Sequence, residues 1–283
     1  MKNQTLRNLL IFCLVVLFSG WLGYWVDQII GPQPEGETLG MGIWLVLPFI
    51  TMLLLRQFAE DGWKDIGLQP NFSGNVSWYM LSLMIYPLVT LLMLGLGKAL
   101  GWIDFSGFDQ EVYFSGFLVA LLPNFIKNIF EEIVWRGYLT SKLIKLRLND
   151  FWIYLIVGGV WGAWHVPYYL YFLPEASLQQ VLPIDRIPFV LFAIFSMICW
   201  SIMYVEMYRL VKSIWPVVLL HMVEDATINH LILDQHVVID AGKEILVSPI
   251  SGFVTSLCYI GVGLLLRQRR VAREAQNTHV TVS

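Results

Sequence analysis

The stretch VYFSGFLVALLPNFIKNIFEEIVWR, residues 112–136, decides the fold, because it is long enough to cross a bilayer and yet carries ionisable side chains. A run of roughly 20 mostly apolar residues spans the hydrocarbon core as a helix. An ionisable side chain in such a helix costs a few kcal/mol at its centre, so it faces protein or water rather than lipid. The stretch therefore predicts a membrane helix with one polar, functional face.

The whole chain has the composition of a membrane protein. Of its 283 residues, 57% are hydrophobic and 14% are charged, whereas a typical soluble domain has roughly 25% charged residues. Apolar runs of spanning length predict an all-α integral membrane protein, a bundle of about eight transmembrane helices. The runs are 6–30, 39–55, 77–97, 112–135, 151–172, 187–208, 213–233 and 249–266.

The distribution of Lys and Arg predicts the orientation. With the N-terminus inside, the eight runs place fourteen basic residues in cytoplasmic segments and only Lys98, Arg186 and Lys243 in outer loops. This asymmetry is typical of a correct topology, so we expect both termini in the cytoplasm. The first run lacks an A-x-A cleavage site, which favours an uncleaved helix. We expect residues 1–267 to form the membrane domain and residues 268–283 a disordered cytoplasmic tail.

The fourth predicted helix carries two adjacent glutamates on different faces. Glu131 belongs to a polar stripe, which predicts that it faces a cavity. Glu132 points about 100° away and stands one turn before Arg136, a spacing that favours an ion pair. Lys127, although on the stripe, is interpreted as snorkelling to water, as is Glu224 of the seventh helix. The stripe consists of Asn124, Lys127, Asn128 and Glu131.

Two histidines in later helices complete a candidate site. His165 lies in the fifth predicted helix, just before Pro167. His221 and Asp225 lie one turn apart in the seventh, close enough for the carboxylate to orient the imidazole. A carboxylate and an imidazole sharing a water form a general base, and a second imidazole with a polar group stabilises an oxyanion, so the set suits amide hydrolysis. Taken singly, the same residues also suit structural hydrogen bonds and ion pairs.

Three strings in these helices resemble a known family. They are FEEIVWRGYL at 130–139, WGAWH at 161–165 and HMVED at 221–225. They resemble the ordered motifs EExxxR, FxxxH and HxxxN or HxxxD of the CPBP intramembrane proteases, which include the type II CAAX prenyl endopeptidases and bacteriocin-processing and immunity proteins. The string GWKDIGL at 62–68 is similar to a segment of bacterial members. The motif-bearing core is 112–233.

The resemblance implies a bundle of eight helices and a metal-independent, glutamate-dependent endopeptidase. It implies that Glu131 and His165 activate water and that His221 and Asp225 lie at the oxyanion. Glu132 and Arg136 are then supporting residues. No cofactor is expected.

Two positions depart from the family pattern. Trp161 stands where the motif has Phe, which we expect only to reshape a cavity wall. Asp225 stands where the better-studied members have Asn, and an ionised Asp donates no hydrogen bond to an oxyanion. Asp225 must therefore be protonated, orient His221 or bind a cation. The set Glu131, His165, His221 and Asp225 would also suit zinc, so the sequence leaves the metal question open.

The expected partners are the lipid bilayer and a peptide or membrane-protein substrate. Short loops favour a bacterial plasma membrane, and the absence of a basic block argues against nucleic acid. Cys13, Cys199 and Cys258 are interpreted as packing residues. One alternative is a catalytically silent membrane scaffold or regulator. Another is a proton-coupled transporter, but the lack of an internal repeat argues against a transporter. Neither the substrate nor the oligomeric state is indicated.

Overall fold

The computed structural model describes residues 2–34 and 36–280, which are helical almost throughout. The helices are α1 (Lys2–Ile30), α2 (Leu39–Phe58), α3 (Val76–Ala99), α4 (Gln110–Glu132), α5 (Ser141–Lys145), α6 (Asp150–Trp164), α7 (Glu175–Val181), α8 (Arg186–Val211), α9 (Trp215–Glu224), α10 (His230–Leu233), α11 (Glu244–Val247) and α12 (Phe253–Val280). Three π-helical segments interrupt them: π1 (Ile133–Thr140), π2 (Tyr168–Phe172) and π3 (Asp225–Asn229). Strands β1 (Ile103–Asp104) and β2 (Val238–Ile239) pair antiparallel.

The prediction of an all-α membrane protein is confirmed in its main feature. Helix occurs at each of the eight predicted places, and among the described residues α1, α2, α3, α8 and the run from α4 through α5 are long and apolar enough to cross a membrane. The other three are shorter or interrupted: α6 has 15 residues, π3 divides the seventh, and α12 is apolar only up to Leu266. The count of eight spans and the cytoplasmic termini stay predictions.

Local side-chain caps and close glycine contacts explain several element boundaries. The side chains of Thr38, Asp109 and Asn149 accept hydrogen bonds from the first free backbone N–H groups of α2, α4 and α6, as N-cap residues do. Gly23 of α1 and Gly40 of α2 lie backbone to backbone, and a side chain at either would overlap the other. These glycines therefore allow α1 and α2 to pack as a close pair.

The loop 59–75, which contains GWKDIGL, docks against the ends of several helices. The Asp65 carboxylate lies 2.7 Å from both Arg56 Nη1 and Lys142 Nζ. The Ile214 N–H, at the start of α9, donates to the Gly67 carbonyl at 2.9 Å. Burial by itself would raise the pKa of Asp65, but hydrogen bonds from Lys142 and Arg56, together with their charges, hold that pKa below its usual value. The loop thus joins α2, α5 and α9 through one carboxylate and one carbonyl.

The segment predicted to be a disordered tail continues α12 as helix as far as Val280. Arg270 binds Glu206 of α8 at 2.5 Å and Asp150 of α6 at 2.8 Å, and Arg273 donates to the Gly74 carbonyl at 3.1 Å. These contacts connect the residues just after 267 to α6, α8 and the loop before α3, and the domain boundary at 267 stays a prediction. Residues 281–283 lie outside the described residues. We call the group Asp150, Glu206, Arg209, Arg267 and Arg270 the α6–α8–α12 charge cluster.

Candidate active site

The four predicted catalytic residues line one cavity. It has a volume of about 290 Å³ and lies among α4, the end of α6, α9 and π3. A π-helical segment occurs beside each functional position, and π segments inside helices are frequent at functional sites. π1 begins directly after Glu132, π2 begins three residues after His165 and π3 begins at Asp225. The ionisable residues that line the cavity are Lys127, Glu131, His165, His221, Glu224 and Asp225.

The predicted ion pair between Glu132 and Arg136 is present and fully buried. Glu132 Oε1 lies 2.8 Å from Arg136 Nη1. The Arg136 guanidinium lies over two rings, 4.5 Å from the centroid of Trp161 and 4.2 Å from that of Tyr204. Trp161, which also lines the cavity, therefore shapes its wall as expected and in addition covers the arginine. Among the described residues, Arg136 has one carboxylate oxygen as its hydrogen-bond partner, and cation–π contact stabilises such a buried guanidinium.

Glu132, rather than Asp225, orients His221. Glu132 Oε1 lies 2.8 Å from His221 Nδ1. Asp225 Oδ2 lies 4.0 Å from His221 Nε2, and Glu224 Oε2 lies 3.9 Å from the same nitrogen. Since a carboxylate accepts, Nδ1 carries the proton and Nε2 points to the cavity. The option that assigned this orientation to Asp225 is therefore wrong, because only the packing of α4 against α9 brings Glu132 to the ring.

His165 is fixed by the end of α6. Its backbone N–H donates to the Gly162 carbonyl at 3.1 Å, which leaves the Trp161 carbonyl free of its usual helical partner. The His165 side chain binds that carbonyl through Nδ1 at 2.9 Å. A carbonyl only accepts, so Nδ1 carries the proton and Nε2 keeps its lone pair. Pro167 follows, and the predicted fifth helix is divided here into α6 and π2.

Lys127 lies between the two carboxylates of the site, which the sequence interpretation missed. Its Nζ lies 2.8 Å from Asp225 Oδ2 and 3.7 Å from Glu131 Oε1. Asn128 and Asn229 also donate to Asp225, at 2.8 and 3.1 Å. The Lys127 side chain is 41% exposed and also reaches both carboxylates, so the interpretation as a snorkelling side chain left out these two contacts. Its position one turn before Glu131 on the same stripe was the signal that could have identified it.

Two other polar residues, Glu224 at the end of α9 and Asn124 of the α4 stripe, have surroundings that differ from those predicted. Glu224 is buried at 5% exposure and lines the cavity, so it is not solvated at a helix end. Asn124 donates to the Ala120 carbonyl of its own helix at 2.9 Å and does not line the cavity. The polar side chains of the α4 stripe therefore do not all face the cavity: Lys127 and Glu131 line it, and Asn124 does not.

The residues that could hold a metal differ from the predicted zinc set. One ligand atom each of His221, Glu224 and Asp225 lies within 4.8 Å of the others. Glu132 behind His221 Nδ1 is the arrangement that often supports a metal-bound histidine. However, the Lys127 ammonium already lies against Asp225 Oδ2. A cation at this place would compete with that ammonium group.

A second cavity, of about 590 Å³, lies between α2 and α4 and reaches Glu131 from the other side. Its walls are apolar apart from Lys127 and Glu131, and include Phe49, Phe130 and Val134. Several apolar side chains along its rim are exposed, as expected of a surface that faces lipid. We call it the α2–α4 groove.

Comparison with known proteins agrees with the motifs. Residues 112–227 match the family model named Rce1-like, which describes type II CAAX prenyl endopeptidases. This range contains all three motifs. No curated protein and no solved structure matches the chain. The resemblance to the CPBP proteases is confirmed over these residues. Residues 112–227, about two fifths of the chain, are therefore similar to the Rce1-like type II CAAX prenyl endopeptidases.

Proposed function

We propose that the chain is a metal-independent intramembrane endopeptidase in which Glu131 and His165 activate the attacking water. The observation that carries the proposal is the convergence of Glu131, His165, His221 and Asp225 on one cavity. A buried carboxylate beside a neutral imidazole is the pair required for general base catalysis on water.

In the first step, a water lies between the Glu131 carboxylate and His165 Nε2. The hydrogen bond of His165 Nδ1 to the Trp161 carbonyl leaves Nε2 as an acceptor for this water. Glu131 takes a proton as the water oxygen adds to the amide carbon, and a tetrahedral oxyanion forms. When the C–N bond breaks, the protonated Glu131 gives that proton to the leaving amine, so the carboxylate is restored.

The oxyanion is stabilised by His221 and Lys127. The Glu132 carboxylate at His221 Nδ1 favours a charged ring whose Nε2–H donates into the cavity. Lys127 supplies the positive charge that an ionised Asp225 lacks, and Asp225 holds the ammonium group at 2.8 Å. Preorganised donors at the developing charge contribute strongly to catalysis in a buried site. Asp225 thus acts as a positioning residue.

The same contact supports a metal-independent mechanism. In the described site, Lys127 occupies the place beside Asp225 and Glu131 that a cation would need. A general base at Glu131 requires no Lewis acid, since the oxyanion already has two charged donors within the cavity.

The α2–α4 groove supports a substrate with an apolar part next to the scissile bond. The groove reaches Glu131 from the lipid side and has a volume of about 590 Å³. A pocket of this size buries an apolar segment or lipid-like group. We propose a peptide or membrane protein that approaches within the bilayer of a bacterial plasma membrane.

The test compares cells and purified protein carrying Glu131→Gln with the wild type. Amide replaces carboxylate at nearly constant shape, so activity should fall by roughly 10²-fold or more while the protein stays folded. Protein N-termini measured by mass spectrometry in both cell types would identify precursors that accumulate. Asn124→Ala is the matched control, since Asn124 lies on the same helix but outside the cavity. Full activity per folded molecule in Glu131→Gln would reject the mechanism and favour the silent scaffold.

A further inference from the structure

A second group of metal-ligating side chains lies outside the active cavity, where α10 ends. It comprises His230, Asp234 and His236, and one ligand atom of each lies within 4.8 Å of the others. The sequence reads HLILDQH, with two imidazoles and a carboxylate in seven residues. None of the three lines the active cavity. We call it the α10 histidine cluster.

The backbone at the end of α10 builds this cluster locally. Gln235 has a left-handed conformation, with φ of 56°. The His236 N–H donates back to the Leu231 carbonyl at 3.1 Å. This closure is typical of a helix C-terminus and folds the chain over the last turn. The rings of His230 and His236 consequently lie 4.8 Å apart between centroids, at 69°.

Helix α4 provides a wall that fixes the first ring. The Tyr113 ring stacks on His230 at 5.6 Å and 13°, and the Tyr113 hydroxyl donates to the Thr227 carbonyl at 3.1 Å. Gly116, one turn further along α4, lies against His230 Nε2, and any side chain at Gly116 would overlap that nitrogen. The imidazole is therefore held by a close approach that only glycine permits.

Both imidazoles keep a buried nitrogen without a partner. Within the described part of the chain, His230 Nε2 and His236 Nε2 have no hydrogen-bond acceptor or donor. His236 is only 6% exposed, and buried polar atoms in folded proteins are nearly always paired. The Asp234 side chain contacts His230 Nδ1 and is 54% exposed. Since His230 Nε2 lies against Gly116, the nitrogen that His230 offers to a ligand is Nδ1, beside Asp234. The cluster thus combines this His230–Asp234 pair, whose carboxylate is open to water, with the unsatisfied His236 imidazole.

We propose that the α10 histidine cluster binds one divalent transition-metal ion of the zinc class. Two imidazole nitrogens, one carboxylate oxygen and a water complete the four-coordinate set that zinc prefers. Nitrogen ligands select against calcium and magnesium, which take oxygen. In the predicted topology the cluster lies on the outer side of the membrane, where Asp234 meets solvent.

The bound ion stabilises the junction between α4 and π3. Asn229, directly before His230, donates to Asp225 in the active cavity, and Tyr113 joins His230 to α4. The ion therefore holds the end of π3 without taking part in catalysis. A ligand that binds only the folded state raises the melting temperature as its concentration exceeds its dissociation constant.

The test uses the full chain, purified in detergent, stripped with chelator and dialysed against buffer containing zinc. Metal content per chain is measured by mass spectrometry, and cobalt is then substituted to record visible absorption bands of a four-coordinate site. Wild type should retain about one zinc per chain and melt higher with zinc than without it. Loss of a ligand should weaken zinc affinity on the order of tenfold or more.

The variants separate this site from the active cavity. His236→Ala and Asp234→Asn should lose the zinc, whereas His221→Ala and Glu131→Gln should keep it. Asp234 is exposed, so Asp234→Asn keeps the test usable if His236→Ala fails to fold. Zinc lost in His221→Ala but kept in His236→Ala would place the ion in the active cavity and overturn the proposal. No retained zinc and no melting shift would reduce the cluster to a His230–Asp234 ion pair, which also overturns it.

Discussion

Two clusters of buried charge in this molecule are built on different rules. In the α6–α8–α12 charge cluster, Glu206 accepts hydrogen bonds from Tyr154 and Arg209. Arg270 donates to both oxygens of the same carboxylate, at 2.5 and 3.1 Å. In the active cavity, Glu131 has a 3.4 Å contact from Trp135 and an ammonium at 3.7 Å. In the first cluster, both oxygens of the Glu206 carboxylate accept hydrogen bonds. The second leaves a carboxylate facing open space.

The comparison separates structural from reactive charges. A carboxylate with every oxygen paired has no capacity left to bind water or substrate, so it fixes helices. A carboxylate with weak contacts beside a cavity can bind a water and take its proton. Adjacent residues of α4 differ in the same direction: Glu132 Oε1 is held by both Arg136 and His221, although its Oε2 has no partner among the described residues, while Glu131 faces the cavity.

The largest expected effect tests this division through two buried glutamates. Glu132→Gln strands the buried Arg136, which should cost about 3–5 kcal/mol of unfolding free energy, whereas Glu206→Gln should cost less because Arg209 and Arg270 both keep Asp150. Only Glu132→Gln should also lower activity per folded molecule, because Glu132 holds His221. Melting curves and activity per folded molecule, measured for both variants, check this.

The matched control is Arg136→Ala alone and combined with Glu132→Gln. Residues in one ion pair are coupled, so the double variant should cost less than the sum of the single variants. If Glu206→Gln lowered specific activity as much as Glu132→Gln, the distinction between the two clusters would fail.

A second prediction concerns Lys127, whose contact with the two carboxylates of the site the sequence interpretation missed. Lys127→Met removes an oxyanion donor and should lower activity by roughly 10²-fold. Adding Asp225→Asn removes the carboxylate left without its partner and introduces an amide donor, so activity should partly recover. Turnover of a precursor identified from Glu131→Gln cells is the measurement.

Lys98→Met is the control for this lysine, since Lys98 lies exposed at the end of α3. Its turnover should equal that of the wild type. A Lys127→Met variant with wild-type turnover would show that the ammonium only balances Asp225 and takes no part at the oxyanion.

The smallest expected effect concerns Asp65, a paired carboxylate in the loop 59–75. Its pKa is lowered on folding by Lys142 and Arg56 against the opposing effect of burial. The stabilisation is therefore complete above the unfolded value of about 3.9 and is lost as the pH falls through the lower folded value. Since the side chain is one-third exposed, we expect on the order of 1 kcal/mol or less.

The measurement is the difference in melting temperature between wild type and Asp65→Asn as a function of pH. The difference should stay constant between about pH 6 and 8 and shrink below about pH 4. A difference that grows on acidification would contradict the assigned direction.

Much of the site was predictable because it depends on spacing within single helices. The Glu132–Arg136 pair follows from an i, i+4 separation, and its distance of 2.8 Å confirms that prediction. The cavity-facing direction of Glu131 follows from the same periodicity. The motif strings indicated the family resemblance, which the match over residues 112–227 supports, without any knowledge of how the helices pack.

Contacts between helices were not predictable from spacing. His221 could bind Glu132 or Asp225 depending on the rotation of α9 against α4, and the sequence favoured the nearer residue along the chain. Lys127 was assigned to solvent because hydropathy does not report that Asp225 lies across the cavity. The helical tail after Leu266 depends likewise on Arg270 reaching Glu206.

The sequence by itself determined the apolar helices, the resemblance to a protease family and the residues that form the candidate site, because burial in lipid restricts composition and a helix repeats every 3.6 residues. Only the tertiary structure decided which charge meets which partner. The partners lie on different helices, and their distances depend on helix rotation, on the π segments and on close glycine contacts. That is why Glu132 reached His221 and Lys127 reached Asp225.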